Sequence, residues 1–322
     1  MQEYSKAVIA FIRSLLSALI LATLVLLFSV HVVAPGLPRV VGEPAVDRDR
    51  ALILQDARMI LVANRSGNVR VMPTEGTEAT IHARIRVYER TPADGEEALE
   101  YADQLLAVVQ EGPWMAVRCE PDERPDNLEV RTDLEVRVPR DVSLVLQVEH
   151  GNVWAGPGVG ALTVQGRNTD VTVDGAEGEL VVETLNGRIR VNSAMSGANL
   201  TTINGSVFVR ISGGALDART TNGAIVAHLQ TPDVKRCVLR NDNGGVTVTL
   251  PDGVGATLDI ATDQGAIRCD HPLSGPDVLS TRRRLQGVVD DGAVNLRVRA
   301  LNGNVWIARG GSGVPLLGGV GR

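Results

Sequence analysis

Two aspartates, Asp242 and Asp263, are the residues of this chain best suited to acid–base work. They hold the same position in consecutive copies of a repeated phrase. Stacking those copies would bring the carboxyls together and raise one proton affinity, as acid work on a polysaccharide requires. Their corner position, however, favours solvated turn acids over a catalytic pair. Asp170 and Asp174 share a strand but have no acidic counterpart in the next copy. His31, His82, His150, His228 and His271 show no metal-ligand spacing. No Gly-x-Ser-x-Gly, phosphate loop or His-Glu-x-x-His is present. No catalytic, cofactor or metal residue is therefore assigned. A different chemistry is suggested by an outward column of Trp154, Thr172, Arg190, Phe208, Val226, Thr247, Arg268 and Trp306. Aromatics mixed with arginine suit sugar rings or a protein partner. Trp154, Arg190, Phe208, Arg268 and Trp306 are its candidate contact residues, unless the 80–140 segment packs over them.

The repeated phrase positions these residues. Apolar residues alternate, Asn-Gly follows, and two more alternating apolar residues close the copy, as in Leu180-Val181-Val182-Glu183-Thr184-Leu185-Asn186-Gly187-Arg188-Ile189-Arg190-Val191. With the Gly as zero, copies centre on Gly67, Gly151, Thr169, Gly187, Gly205, Gly223, Gly244, Gly265 and Gly303. From 151 to 223 the step is 18 residues, followed by two steps of 21 and one of 38. A fixed period is the mark of stacked repeats. Positions −7, −5, +2 and +4 are filled by Leu, Val, Ile, Ala or Cys and share one face, because strand side chains alternate. Position −1 is Asn in six copies, with His150 and Gln264 in two others. Stacked Asn side chains can hydrogen-bond from rung to rung, and Gly permits the corner. The expected corner ladder includes Asn186–Gly187, Asn204–Gly205 and Asn222–Gly223. Asn-Gly is also a strong hairpin signal, and a row of antiparallel hairpins would keep the same columns on one face. The even step and like-on-like columns favour a solenoid.

The amino-terminal end reads as a membrane segment. Residues 14–34 carry no charged side chain and would reach about 30 Å as a helix, a bilayer's apolar thickness. Lys6 and Arg13 precede the run, which places residues 1–13 in the cytoplasm and exports the remainder. A signal peptide cleaved after Ala34, giving a secreted protein, is the alternative. Residues 35–50 read as a linker. Residues 51–142 hold the first copy and a strand-rich preamble, with a helix expected from Asp94 to Gln110 and a stop at Gly112. Copies fill 143–309, and 310–322 read as a disordered tail.

Aromatics are only 3% of the chain while Gly numbers 34, which favours a small-residue stack over a conventional enzyme core. The net charge of −6 argues against nucleic acid. The basic run Arg282-Arg283-Arg284 reads as a solvated loop. Three cysteines imply no disulfide framework, and Cys237 and Cys269 occupy different core columns.

The phrases Glu183-Thr184-Leu185-Asn186-Gly187-Arg188-Ile189 and Arg219-Thr220-Thr221-Asn222-Gly223-Ala224-Ile225 resemble the repeat of bacterial "putative adhesin" domains of unknown function. The resemblance covers about residues 52–308, including a strand-rich preamble ending in Val138-Pro139. It implies a single-stranded right-handed β-helix and an envelope location, and supplies no catalytic residue. The helix at 94–110 and the loop at 270–291 depart from a plain repeat. The combined expectation is an all-β, right-handed parallel β-solenoid with repeats of about 18 residues and two strands. It follows one transmembrane helix and lies outside the cytoplasm. The expected role is binding or structural, without cofactor. Its partners are the membrane through 14–34, an envelope polysaccharide or protein, and further copies through the ends. The alternatives are a polysaccharide-active enzyme and an envelope-stress signalling component.

Overall fold

Parallel pairing between residues one repeat apart is the organising contact of the molecule. The computed structural model describes residues 43–90, 95–119 and 125–310, which are nearly all strand with one helix. Leu180–Asn186 and Ile189–Ala194 do not fold back on each other across Asn186-Gly187. Leu180–Asn186 pairs in parallel with Leu162–Val173 on one side and Ala198–Asn204 on the other. Ile189–Ala194 pairs in parallel with Leu162–Val173 and Val207–Ile211. Identical repeat positions are therefore cross-strand neighbours. The −7 column runs Leu144, Leu162, Leu180, Ala198, Leu216, Cys237, Leu296, Leu258. The +2 column runs Val69, Val153, Val171, Ile189, Val207, Ile225, Val246, Val305, Ile267. All but Ile267 are buried. No repeat encloses its aliphatic stripe alone, so each depends on its neighbours for burial.

The corners are fixed by three interlocked polar columns. At −1, the Nδ2 of Asn186, Asn204, Asn222, Asn243 and Asn302 donates to the Oδ1 of the preceding Asn, at 2.7–3.0 Å. Asn168 continues the ladder to His150 Nδ1 at 3.0 Å. At −3, Thr202 and Thr220 donate to the carbonyls of Gly187 and Gly205, at 3.0 and 2.8 Å. At +1, Asp170 Oδ1 accepts from the Arg188 amide and Ser206 Oγ from the Ala224 amide. Backbone groups that the bend frees are thus satisfied by side chains one rung away.

The glycine at zero has a steric cause more general than its torsion. Gly223 and Gly244 have φ of 155° and 143°, but Gly187 and Gly205 lie outside the left-handed region. What they share is a carbonyl directly beneath. A Cβ on Gly187 would stand 1.9 Å from the Thr169 oxygen, and one on Gly205 1.9 Å from the Gly187 oxygen. Thr169, the exception at zero, sits in a repeat whose strand Leu162–Val173 runs unbroken through the corner. Glycine appears instead at Gly166, where a Cβ would meet Thr169 Cβ at 2.8 Å.

Chain order and stacking order differ at the carboxyl end. Val234–Asn243 pairs with Val294–Asn302, not with Ala256–Thr262. Ala256–Thr262 packs on the far side of Val294–Asn302, also in parallel. The Gly303 repeat is therefore inserted between the Gly244 and Gly265 repeats. Residues 274–289, expected as loop, form an antiparallel hairpin of Ser274–Ser280 and Arg284–Val289 that pairs along Ala256–Thr262. The basic run lies at its turn.

At the other end, the first repeat, Met59–Ser66 and Val69–Thr74, stacks on Ser143–Ala155. Beyond it, Leu128–Pro139 pairs with Val69–Thr74, Ala79–Glu89 with Leu128–Pro139, and Val46–Leu54 with Ala79–Glu89, the last two antiparallel. Two expectations fail here. The linker assigned to 35–50 overlaps the strand Val46–Leu54, whose alternation was masked by Asp47, Arg48, Asp49 and Arg50 on an outer edge. The helix is Glu96–Asp103 only, with Gly95 as N-cap. Leu106, at φ 67°, turns the chain into the strand Ala107–Glu111, and Gly112 forms its hairpin with Trp114–Arg118. The buried Leu105 and Leu106 had prolonged the apparent helical stripe. Asp94, the cytoplasmic and membrane segments 1–34 and the tail beyond Gly310 lie outside the described residues. Among the described residues, no helix is long and apolar enough to cross a membrane.

Candidate binding face

The strands that follow each corner turn positions +1, +3 and +5 outward, and all of these are half-buried or exposed except the buried Gly156 and Ala308. In stacking order the +3 column is Arg70, Trp154, Thr172, Arg190, Phe208, Val226, Thr247, Trp306, Arg268. The inserted repeat thus places Trp306 next to Thr247, with Arg268 outermost. Trp154 and Phe208 are three rungs apart, and Phe208 and Trp306 another three, about 14 Å per interval at ordinary strand spacing. Each aromatic carries arginine on its ring. The Arg70 guanidinium lies 4.5 Å from the Trp154 ring centre, and Arg268 5.1 Å from Trp306. Phe208 is flanked by two, Arg190 at 5.1 Å and Arg210 at 5.3 Å. His228 packs against it with ring centres 5.3 Å apart. All five candidate contact residues therefore fall in one column.

The two tryptophans are held alike. Trp154 Nε1 donates to Asp174 at 3.1 Å, and Trp306 Nε1 to Asp270 at 2.7 Å; both acids are at +5 of the adjoining repeat. Each indole lies in a repeat whose own +5 residue is small, Gly156 or Ala308. A Cβ on Gly156 would meet the Trp154 ring at 3.1 Å. Burial raises the Asp270 carboxyl, but hydrogen bonds from Trp306 and Arg268 outweigh it and leave the acid below its ordinary value. The Asp–Trp pairing was not read from sequence, although Asp174 and Asp270 at a shared position signal it. The helix Glu96–Asp103 packs on the Val46–Leu54 and Ala79–Glu89 strands.

At the amino-terminal end the outward face deepens into an open cleft of about 840 Å3, with Arg70, Trp154, His82, Arg84, Asp133 and Glu135 in its walls. Arg84 is committed to Asp47, and Arg86 to Asp133.

Acid–base chemistry loses its geometric basis. Asp242 and Asp263 are not in neighbouring rungs, because the Gly303 repeat, with Leu301 at the same position, lies between them. The sequence count placed them adjacent, and the chain's return separates them by two strand spacings, about 10 Å. Among the described residues, no three His, Cys, Asp or Glu side chains gather as a metal site. Among the described residues, no disulfide joins Cys119, Cys237 or Cys269. Complete burial pushes the Cys237 thiol far up, making it inert.

No family model and no curated protein matches the sequence. Among solved structures, the chain is similar to a "putative adhesin" of Bacteroides fragilis at 11% identity and a TM-score of 0.40, covering 81% of this chain and 97% of that one. It is also similar to a "putative cell adhesion protein" of Clostridium sporogenes (9%, 0.26, covering 82% and 100%). A third, a "putative lipid binding protein" of Parabacteroides distasonis, gives 8% and 0.33, covering 81% and 96%. No residue role passes from them to this chain.

Proposed function

We propose that the chain is an adhesin-like binding module of the cell envelope. In this reading it is a right-handed parallel β-solenoid, held to the membrane by residues 14–34 and displayed outside the cytoplasm. The role is binding, not catalysis. The architecture is supported by in-register parallel pairing over successive repeats. The orientation is supported by Lys6 and Arg13 ahead of the uncharged run. The functional role is carried by one observation: the outward column places three arginine-stacked aromatics at even intervals along a single face. Rings and guanidinium groups of this kind dominate recognition surfaces.

The test uses the full-length chain. A phosphatase reporter that works only outside the cytosol, fused after residue 310, should be active. The detergent-purified protein should retain material from an envelope extract. Trp154→Ala with Trp306→Ala should abolish retention while preserving a cooperative melt. Asp242→Asn and Asp263→Asn should change nothing. A silent reporter, or equal retention by the tryptophan variant, overturns the reading.

A further inference from the structure

Resting on that reading, we propose that the face binds an anionic linear polysaccharide lying along the stack axis, gripped at the Arg190–Phe208–Arg210 station. The first argument is unspent charge. Four arginines on the opposite strand row are paired with carboxylates, Arg236 and Arg240 sharing Asp217, and Arg297 and Arg299 sharing Asp259. Arg268 has Asp270. Among the described residues, no carboxylate pairs with Arg190 or Arg210, and the exposed Arg188 stands two positions before Arg190 on the same outward row. Nearby acids are already engaged: Asp174 accepts from Asn192 at 2.7 Å and from Trp154, and Asp170 from the Arg188 amide.

The second argument is preorganisation. Two guanidinium groups are held against one phenyl ring. Stacking restrains a guanidinium but leaves its N–H edge free for a carboxylate or phosphate oxygen. The entropy of placing two long side chains is met partly before binding.

The third argument is linearity. The stations fall in one column at about 14 Å intervals, so Trp154 to Trp306 spans about 29 Å. Asn152, Thr172, Asn192, Ser206, Thr247 and Asn304 border the stations with amides and hydroxyls suited to sugar hydroxyls. A peptide strand would seek unpaired sheet edges instead, at Val46–Leu54 or Ser274–Ser280.

The test is calorimetric titration of the full-length protein in detergent. The probes are oligogalacturonates of increasing length, a phosphodiester-linked polyol polymer and neutral dextran. At least one anionic polymer should bind, more weakly as salt rises, and short oligomers should bind less tightly than long ones. Arg190→Gln with Arg210→Gln should weaken binding about tenfold or more. Arg236→Gln with Arg240→Gln should leave it unchanged. Dextran binding as well as the anionic polymers overturns the proposal, as do unaltered affinity in the Arg190/Arg210 variant and length-independent affinity. Retention of envelope material without binding of either anionic polymer rejects the ligand class alone. Loss of retention by the wild-type chain rejects the binding reading beneath it.

Discussion

At position zero the deciding atom is a carbonyl oxygen in the rung below. Gly205→Ala would push a methyl group to 1.9 Å from the Gly187 oxygen and should cost about 2 to 3 kcal/mol, seen in a thermal melt. Gly245→Ala is the control, since a Cβ there would meet the Asn304 oxygen at an ordinary 3.7 Å; its melt should shift little. Equal shifts would show that the corner is not governed by this approach. Two histidines give a pH signature. Burial, aided by Arg210, holds His228 below its ordinary value, and burial outweighs Glu149 to do the same for His150. The unfolded imidazoles, titrating near about 6.5, therefore take up protons first as the pH falls. Stability should be full above that pH and decline below it, and His228→Gln should flatten the decline. An unchanged slope in that variant would exclude His228 as a source.

Within a repeat, the strand alternation sets which substitutions the molecule tolerates. Val207 is buried among Ile189, Ile225 and the other +2 residues, so Val207→Asp strands a charge in the core and should abolish the cooperative transition. Ser206→Asp should shift the melt by less than about 1 kcal/mol, because Asp170 fills the equivalent +1 place and accepts the same kind of amide bond. Comparable losses from both would refute the register. These columns were legible because period-two alternation and a constant step survive in one dimension. The Asn ladder was legible for the same reason. The short helix was not, because Leu105, Leu106 and Val109 extend an apolar stripe through a residue that turns the chain. Nor was the outer strand at Val46–Leu54, whose charged side chains guard a sheet edge.

Across the whole molecule, stacking order was the part that sequence order concealed. One trace was present: Gln264 interrupts the Asn column in chain order, yet Asn243 and Asn302 are joined directly at 2.9 Å. Gln264 thus ends the asparagine run instead of breaking it. Ending the chain at Asp291 removes the Gly303 repeat from between two neighbours. The Gly265 repeat should then detach, and limited proteolysis should trim the protein back towards Leu250. A protease-resistant Gly265 repeat in that truncation would contradict the pairing. The insertion also gives the stack a keystone. The strands that close it are synthesised after both of the segments they separate, so they must enter a gap between segments made earlier. A nascent chain can add rungs steadily as far as the Gly244 repeat, but its final assembly must wait for the closing segment. Docking of the Gly265 repeat is thereby tied to the arrival of an intact Gly303 repeat.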